Sequence, residues 1–342
     1  MKRIGNLFDK IVSIENLRLA DQKASKGKAN TYGVRLHNQN KEENLQKLHE
    51  ALVNGTYKTS EYHIFNIYEP KERVIYQLPY YPDRIVHHAI MNILEPIWVS
   101  VFTADTFSCI KNRGIHAAAT KVKKALTTDP EGTKYCLYLD IKKFYPSIDH
   151  ELLKATVRKK LKDKRLLALI DEIIDSAPGV PIGNYLSQYL ANLYLAYMCH
   201  YLKEKLKVKW LFCYADDIII LSDSKEKLHL YHSEIVKYLA SLKLTIKNNW
   251  QIFPVDAQGV DFVGYVFFHS HTKMRKGIKQ RFARKVARIA KRKKPLTEKE
   301  FRKALSPWWG WAKHCNSVHL LTKLSERTTY EIDFRHKTRN AA

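Results

Sequence analysis

The sequence predicts an α+β fold, and three observations carry that prediction. Short runs rich in β-branched and aromatic residues are mixed with amphipathic helices, and long parallel strand–helix–strand units are few. The 342 residues are 45% hydrophobic and 11% aromatic, which fits a folded chain with a large core and excludes a disordered one. Acidic residues vanish near His269, which marks the best domain boundary. No apolar run reaches the roughly 18 residues of a membrane span. The start, "MKRIGNLFDKIVSIENL", carries no secretion signature.

Residues 1–55 read as helical. Leu7, Ile11, Ile14 and Leu17 recur at helical spacing and predict one helix through "NLFDKIVSIENLRLADQKA". "KASKGKANTYG" is a basic break, and "NKEENLQKLHEALVNG" is a second helix that stops at Gly55. "YHIFNIYEPKERVIYQL" alternates and predicts a hairpin turning at Glu69–Glu72. "DRIVHHAIMNILEPIWVSVF" is a buried helix. "KYCLYLDIKKFYPSI" is a strand over Tyr135–Leu139 that runs into a turn. "HELLKATVRKKL" and "KRLLALIDEIIDS" are amphipathic helices, and "PGVPIGNYLSQYLANLYLAYMCHYLKEKL" is a loop feeding a long helix. "WLFCYADDIIILSD" reads as strand, tight turn, strand. "KEKLHLYHSEIVKYLASLKL" is a helix and "VDFVGYVFF" a single strand. Beyond it, Phe282, Val286 and Ile289 share one face of a basic helix, and Thr297 with Glu300 forms a capping box ahead of Trp308, Trp309 and Trp311.

Charge narrows the partners. Fifty-nine Lys and Arg against thirty-four Asp and Glu leave a net +25. From His269 to Ala342 there are 21 basic and 5 acidic residues, and between Lys273 and Lys294 12 of 22 are basic and none is acidic. A merely soluble surface spreads its charge; a field this concentrated is the footprint of nucleic-acid binding. The five cysteines are scattered and unpaired by motif, so a disulfide framework or structural zinc is not expected, and a reducing cytoplasm fits.

Two adjacent carboxylates, Asp216 and Asp217, stand between apolar runs. They repel each other and resist burial unless a cation compensates. Asp140 ends another apolar strand. Strand-end carboxylates of this kind suit two Mg²⁺ ions and in-line phosphoryl transfer. An ordinary solvated Asp-Asp turn is the bland alternative.

These motifs resemble the reverse transcriptases, in order, from Ile64 to about Phe267. "YLDIKKFYPSI" is similar to the first palm motif, "YADD" to the second, and "VDFVGYVF" to the strand before the thumb. "PKERVIYQLPYYPDRIVHHA" and "FSCIKNRGIHAA" resemble the fingers motifs. The resemblance implies a right-hand polymerase fold: an N-terminal helical extension over 1–60, fingers over 61–134, a palm with an antiparallel sheet over 135–268 with a fingers insertion around 150–180, and a basic helical thumb and tail over 269–342. It implies Asp140, Asp216, Asp217 and the backbone carbonyl of Ile141 as ligands of two Mg²⁺ ions, with Mn²⁺ as a substitute. It implies Lys71 and Arg73 on the triphosphate and Tyr145 as a gate against the ribose 2′-OH. Ile182 and Gly183 lie beside the incoming nucleotide. Lys111, Arg113 and Gln188 face the template. Lys279, Arg281, Arg284, Lys285 and Arg288 follow the template–primer backbone. The family's late palm lysine falls in "LTIKNNW", where Lys247 is the only lysine.

Most reverse transcriptases have Gln-Gly and then Ser-Pro where this chain has Ile182-Gly183 and Ser187-Gln188. The pattern resembles the enzymes of diversity-generating retroelements, which act in a bacterial or phage-infected cell. That resemblance implies adenine-mutagenised cDNA made from a template-repeat RNA, dNTP substrates and a small basic, oligomeric accessory variability protein. A retron-type or free-standing group II intron-like enzyme is the first alternative, and an RNA-binding scaffold without chemistry the second. His87–His88 and His269-x-His271 lack further ligands at suitable spacing and read as structural or phosphate-facing. Tryptophans at helical spacing fit a core better than a base-stacking platform. The tail "SERTTYEIDFRHKTRNAA" matches no motif.

Overall fold

A computed structural model describes residues 3–68, 72–328 and 332. Helices α1 (Phe8–Val12), α2 (Ile14–Ser25), α3 (Tyr32–Gln39) and α4 (Lys41–Val53) precede a hairpin of β1 (His63–Ile67) and β2 (Arg73–Gln77). Then come α5 (Ile85–Val99), α6 (Ile115–Thr128), β3 (Tyr135–Asp140), α7 (His150–Arg158), α8 (Lys164–Asp175) and α9 (Ser187–His200). The hairpin of β4 (Trp210–Tyr214) and β5 (Asp217–Ser222) is followed by α10 (Lys225–Ser241), β6 (Gln251–Pro254) and α11 (Val255–Gln258). Short strands β7 (Val260–Phe262), β8 (Tyr265–Phe267) and β9 (Thr272–Met274) lead to α12 (Lys276–Ala290), α13 (Glu298–Lys313) and α14 (Val318–Ser325). The mixture of helices with antiparallel sheets is the α+β class the sequence predicts. No helix among the described residues is long and apolar enough to cross a membrane.

The chain divides into two compact units. The first comprises Met1–Cys109, Asp140–Lys207 and Ser233–Asn248; the second comprises Ile110–Leu139, Val208–His232 and Asn249–Ala342. In the first, α9 is buried over most of its length and α5 over about half, and Trp98 and Tyr194 are among its largest enclosed side chains. Asn16 on α2 is buried without loss because its amide donates to the carbonyls of Ile11 (2.7 Å) and Ala89 (3.0 Å). The β1–β2 hairpin pairs Ile64 with Tyr76 and Ile67 with Arg73, and both strands are largely exposed.

In the second unit, β4-β5-β3-β6 form a four-stranded sheet and β7-β8-β9 a three-stranded one. β3 pairs antiparallel with β6, and β4 with β5. Ile278, Phe282, Val286 and Ile289 of α12 pack into one core with Phe301 and Leu305 of α13. The capping box is present: Thr297 accepts from the Glu300 N–H, and Glu300 accepts from the Thr297 N–H.

Three local readings change. The first predicted helix is two, because Ser13 is extended and its hydroxyl accepts the Asn16 N–H at 3.3 Å as the cap of α2. The segment after the basic break contributes a further helix, α3. "VDFVGYVFF" is a hairpin and not one strand: Val263 (φ 43°) and Gly264 (φ 88°) turn the chain between β7 and β8. A Cβ on Gly264 would strike the Trp311 ring, so the close approach of α13 fixes that glycine.

Candidate functional site

Asp216 and Asp217 occupy the tip of the β4–β5 hairpin. Tyr214 pairs with Asp217, so Ala215 and Asp216 form a two-residue turn. Such turns favour positive φ, and Ala215 takes φ 53° without glycine's freedom. That conformation costs an L-residue about 1 kcal/mol, and strain of this kind gathers at functional sites. The flanking Leu211–Cys213 and Ile218–Ser222 are buried, while both aspartates are half-buried where the apolar ladder ends. Within the same sheet the Tyr138 hydroxyl on β3 donates to Asp217 Oδ1 at 3.4 Å.

Asp140 is the last residue of β3 and is buried. A carboxylate in such a place needs a charged partner. Lys247 supplies one, its ammonium pairing with Oδ2. Backbone contacts hold the pair: the Lys247 N–H donates to the Asp140 carbonyl at 2.9 Å, and the Lys142 N–H to that of Thr245 at 2.8 Å. Between them, the fully buried Ile141 bridges Ile246.

The other oxygen of Asp140, Oδ1, accepts no hydrogen bond among the described residues. A buried carboxylate oxygen with open lone pairs fits a hard divalent cation. Among the described residues no three His, Cys, Asp or Glu side chains already gather as a ligand cluster. A magnesium site does not need one, because it is commonly completed by one or two carboxylates with water and substrate phosphates.

Several candidate nucleotide residues meet at the loop between α8 and α9. Tyr145 opens a 3₁₀ turn, Tyr145–Ser147, and its carbonyl accepts the Val180 N–H at 2.9 Å. Ile182 is half-buried, and its carbonyl accepts the Tyr76 N–H of β2 at 2.9 Å. Gly183 has φ 127°, and a Cβ there would lie 2.7 Å from the Tyr76 carbonyl oxygen, so only glycine fits. Arg73 is exposed at the start of β2. Lys71 lies outside the described residues.

The template candidates are spread more widely. Gln188 is exposed in the first turn of α9. Lys111 and Arg113 share one turn, closed by the Arg113 N–H on the Ile110 carbonyl at 3.0 Å. Lys279, Arg281, Arg284, Lys285 and Arg288 lie outside the buried stripe of α12, a helix without an acidic residue. Trp308 stacks on Phe282 with centroids 5.6 Å apart and planes at 10°, and all three tryptophans pack against the α12–α13 core.

The histidine pairs are structural in their surroundings. His87 is buried, which pushes its pKa down to about 3. His88 stacks on Tyr185 at 4.3 Å. His269 contacts Asp256 (2.8 Å) and Thr133 (3.0 Å), and His271 contacts Ser270 (2.8 Å).

Sequence reasoning did not connect Lys247 with Asp140, which lies 107 positions earlier. The available signal was that Lys247 is the only lysine in its motif. It also missed Tyr76, whose backbone holds the Ile182 loop.

Comparison with known proteins follows the same residues. The family profile described as "Reverse transcriptase (RNA-dependent DNA polymerase)" matches residues 67–267. The chain is 28% identical over 176 residues to protein YkfC of Escherichia coli (strain K12), covering 47% of this chain and 46% of that protein. It is 27% identical over 167 residues to the group II intron-encoded protein LtrA of Lactococcus lactis subsp. cremoris, covering 45% of this chain and 27% of LtrA. The chain thus spans less than half the length of these relatives. Among solved structures, apo telomerase from Candida tropicalis aligns with a TM-score of 0.51 at 11% identity, over 82% of this chain and 61% of that one. Telomerase from Candida albicans in complex with a telomeric RNA fragment aligns with a TM-score of 0.50 at 12% identity, over 86% and 62%. At these identities the likeness speaks for the fold alone.

Proposed function

We infer the function from one premise: the chain belongs to the reverse transcriptase family, whose profile covers more than half of it. Its proposed activity is RNA-directed DNA polymerisation, with template RNA, a primer or growing cDNA, and dNTPs as partners. The observation that carries this reading is the buried Asp140 carboxylate with one oxygen still open.

Asp140, Asp216 and Asp217, with the Ile141 carbonyl, would hold Mg²⁺ or its substitute Mn²⁺. When bound, such ions neutralise the charge that develops as a 3′-hydroxyl displaces pyrophosphate in line at the α-phosphorus. The remaining work falls to the chain's own residues. Lys71 and Arg73 would neutralise the triphosphate. The Tyr145 ring would exclude a ribose 2′-OH by contact. Lys111, Arg113 and Gln188 would meet the template. Lys279, Arg281, Arg284, Lys285 and Arg288 would meet phosphates along the duplex, a sequence-independent and salt-sensitive form of binding.

The finer reading is mutagenic copying of a template-repeat RNA for a diversity-generating retroelement, assisted by a small basic oligomeric accessory protein in a bacterial or phage-infected cytoplasm. Its support is Ile182-Gly183 with Ser187-Gln188. The Ile182 carbonyl is already engaged by Tyr76, and its side chain is apolar. Position 182 therefore offers no side-chain hydrogen bond with which to police base-pair geometry. A group II intron-like or retron-type role is the second reading, favoured by the likeness to the intron-encoded LtrA.

Sequencing the cDNA made by wild type and Ile182→Gln separates the two. Errors concentrated at template adenines, and reduced in the variant, support the mutagenic role. A flat, low error spectrum in wild type sinks that role and favours the intron-like one.

A further inference from the structure

The loop between α8 and α9 carries a closure that the family assignment does not explain. Ser176, at the end of α8, donates its hydroxyl proton to the Ile173 carbonyl at 2.7 Å. Its oxygen is then left to accept, so the Tyr62 O–H donates to Ser176 Oγ at 2.7 Å. The Tyr62 oxygen in turn accepts the Asn184 amide at 3.2 Å. The result is a one-directional relay from Asn184 through Tyr62 and Ser176 to Ile173, with the phenol bridging both ends of the segment 176–184. Directed chains of this kind reinforce each member. Burial raises the Tyr62 pKa, which keeps the phenol protonated and able to donate. The Tyr62 ring also meets Tyr76 edge-on, with centroids 5.6 Å apart.

Inside that closed segment lie the backbone attachments of two candidate specificity residues. The Val180 N–H donates to the Tyr145 carbonyl, and the Ile182 carbonyl accepts the Tyr76 N–H, both at 2.9 Å. Gly179 (φ 60°) sits so close that a Cβ would lie 2.5 Å from the Tyr145 carbonyl oxygen. The segment therefore fixes the backbone of both Tyr145 and Ile182, and Tyr62 fixes the segment.

We propose that the Tyr62 hydroxyl is a positioning group for nucleotide selection: by latching 176–184 it sets Tyr145 and Ile182 together, so that sugar and base discrimination share one support. The proposal rests on the polymerase reading above. It makes Tyr62 and Asn184 determinants of specificity, although neither is expected to touch the reacting atoms.

The test uses Tyr62→Phe and Asn184→Ala in the full chain, with Tyr57→Phe as a control. Tyr57 is a buried tyrosine of the same unit, where Tyr62 is half-buried, and its hydroxyl donates to Asp83 at 2.7 Å. Two quantities are read: amide exchange at Val180 and Tyr76, and the ratio of kcat/KM for dNTP over rNTP. In Tyr62→Phe both amides should exchange about fivefold faster and the ratio should fall about fivefold, the worth of one net hydrogen bond. Asn184→Ala should move both the same way, and Tyr57→Phe neither. Unchanged exchange in Tyr62→Phe overturns the latch. Faster exchange with an intact ratio overturns its role in selection. Wild-type protein that makes no DNA would sink the polymerase reading and the specificity role with it, while exchange alone would still judge the latch.

Discussion

Replacing Lys247 with methionine removes the ammonium from Asp140 and keeps the length of the side chain. The Asp140 side chain is 8% exposed and that of Lys247 is 34% exposed. Breaking a fully buried pair by deleting one partner costs about 3–5 kcal/mol, whereas exposed pairs are worth about 0–1 kcal/mol. A pair buried on one side and one-third open on the other belongs between these limits, at about 2 kcal/mol. Urea unfolding of wild type, Lys247→Met, Asp140→Asn and the double variant would measure the coupling. The double variant should be more stable than the two single losses predict, by about 2 kcal/mol. Mg²⁺ should also raise the urea midpoint of Lys247→Met more than that of wild type, because a cation then replaces the missing ammonium. Coupling below about 0.5 kcal/mol would refute the view that Lys247 neutralises Asp140.

Three further outcomes are expected. Gly183→Ala should reduce stability by about 2 kcal/mol in thermal or urea unfolding, since its Cβ would collide with the Tyr76 carbonyl at a positive φ; an unchanged midpoint would show that the loop relaxes freely. His87 has a folded pKa of about 3 because burial disfavours its charged form. The unfolded chain, titrating near 6.5, binds the extra proton as pH falls below that value. Stability should therefore decline on acidification by up to about 1.4 kcal/mol per pH unit, and His87→Leu should flatten that slope. Arg284→Gln on α12 should lower RNA–DNA duplex affinity and reduce the slope of log K against log salt by about 0.8, the share of one phosphate contact; an unchanged slope would remove Arg284 from the backbone-contacting face.

Much of this arrangement was legible in the sequence because it rests on local periodicity. The β4–β5 hairpin announces itself by two apolar runs around Ala215–Asp216, and α12 by a helically spaced stripe of Phe282, Val286 and Ile289. Local pattern fails where a single contact decides the outcome. Ser13 interrupts a smooth helical pattern through its cap to Asn16. Val263–Gly264 turns inside an apolar run through two positive φ angles, and the Trp311 ring that crowds Gly264 is a contact that no window of neighbouring residues reveals. The same limit hid the site's supports. Asp140 stood out as a strand-end carboxylate, but its pairing with Lys247, and the hold of Tyr62 and Tyr76 on 176–184, join residues separated by a hundred positions or more.

Primer extension decides whether the hairpin carboxylates take part in DNA synthesis. Wild-type protein and Asp216→Ala would be given a defined RNA template, an annealed primer, dNTPs and Mg²⁺, and the full-length cDNA quantified. Template-length DNA is expected from wild type, with dependence on the divalent ion and a loss of synthesis of at least about a hundredfold in Asp216→Ala, the scale for removing one electrostatic stabiliser of the reacting centre. Equal synthesis by the two proteins would contradict this, because the hairpin carboxylates would then have no part in the chemistry.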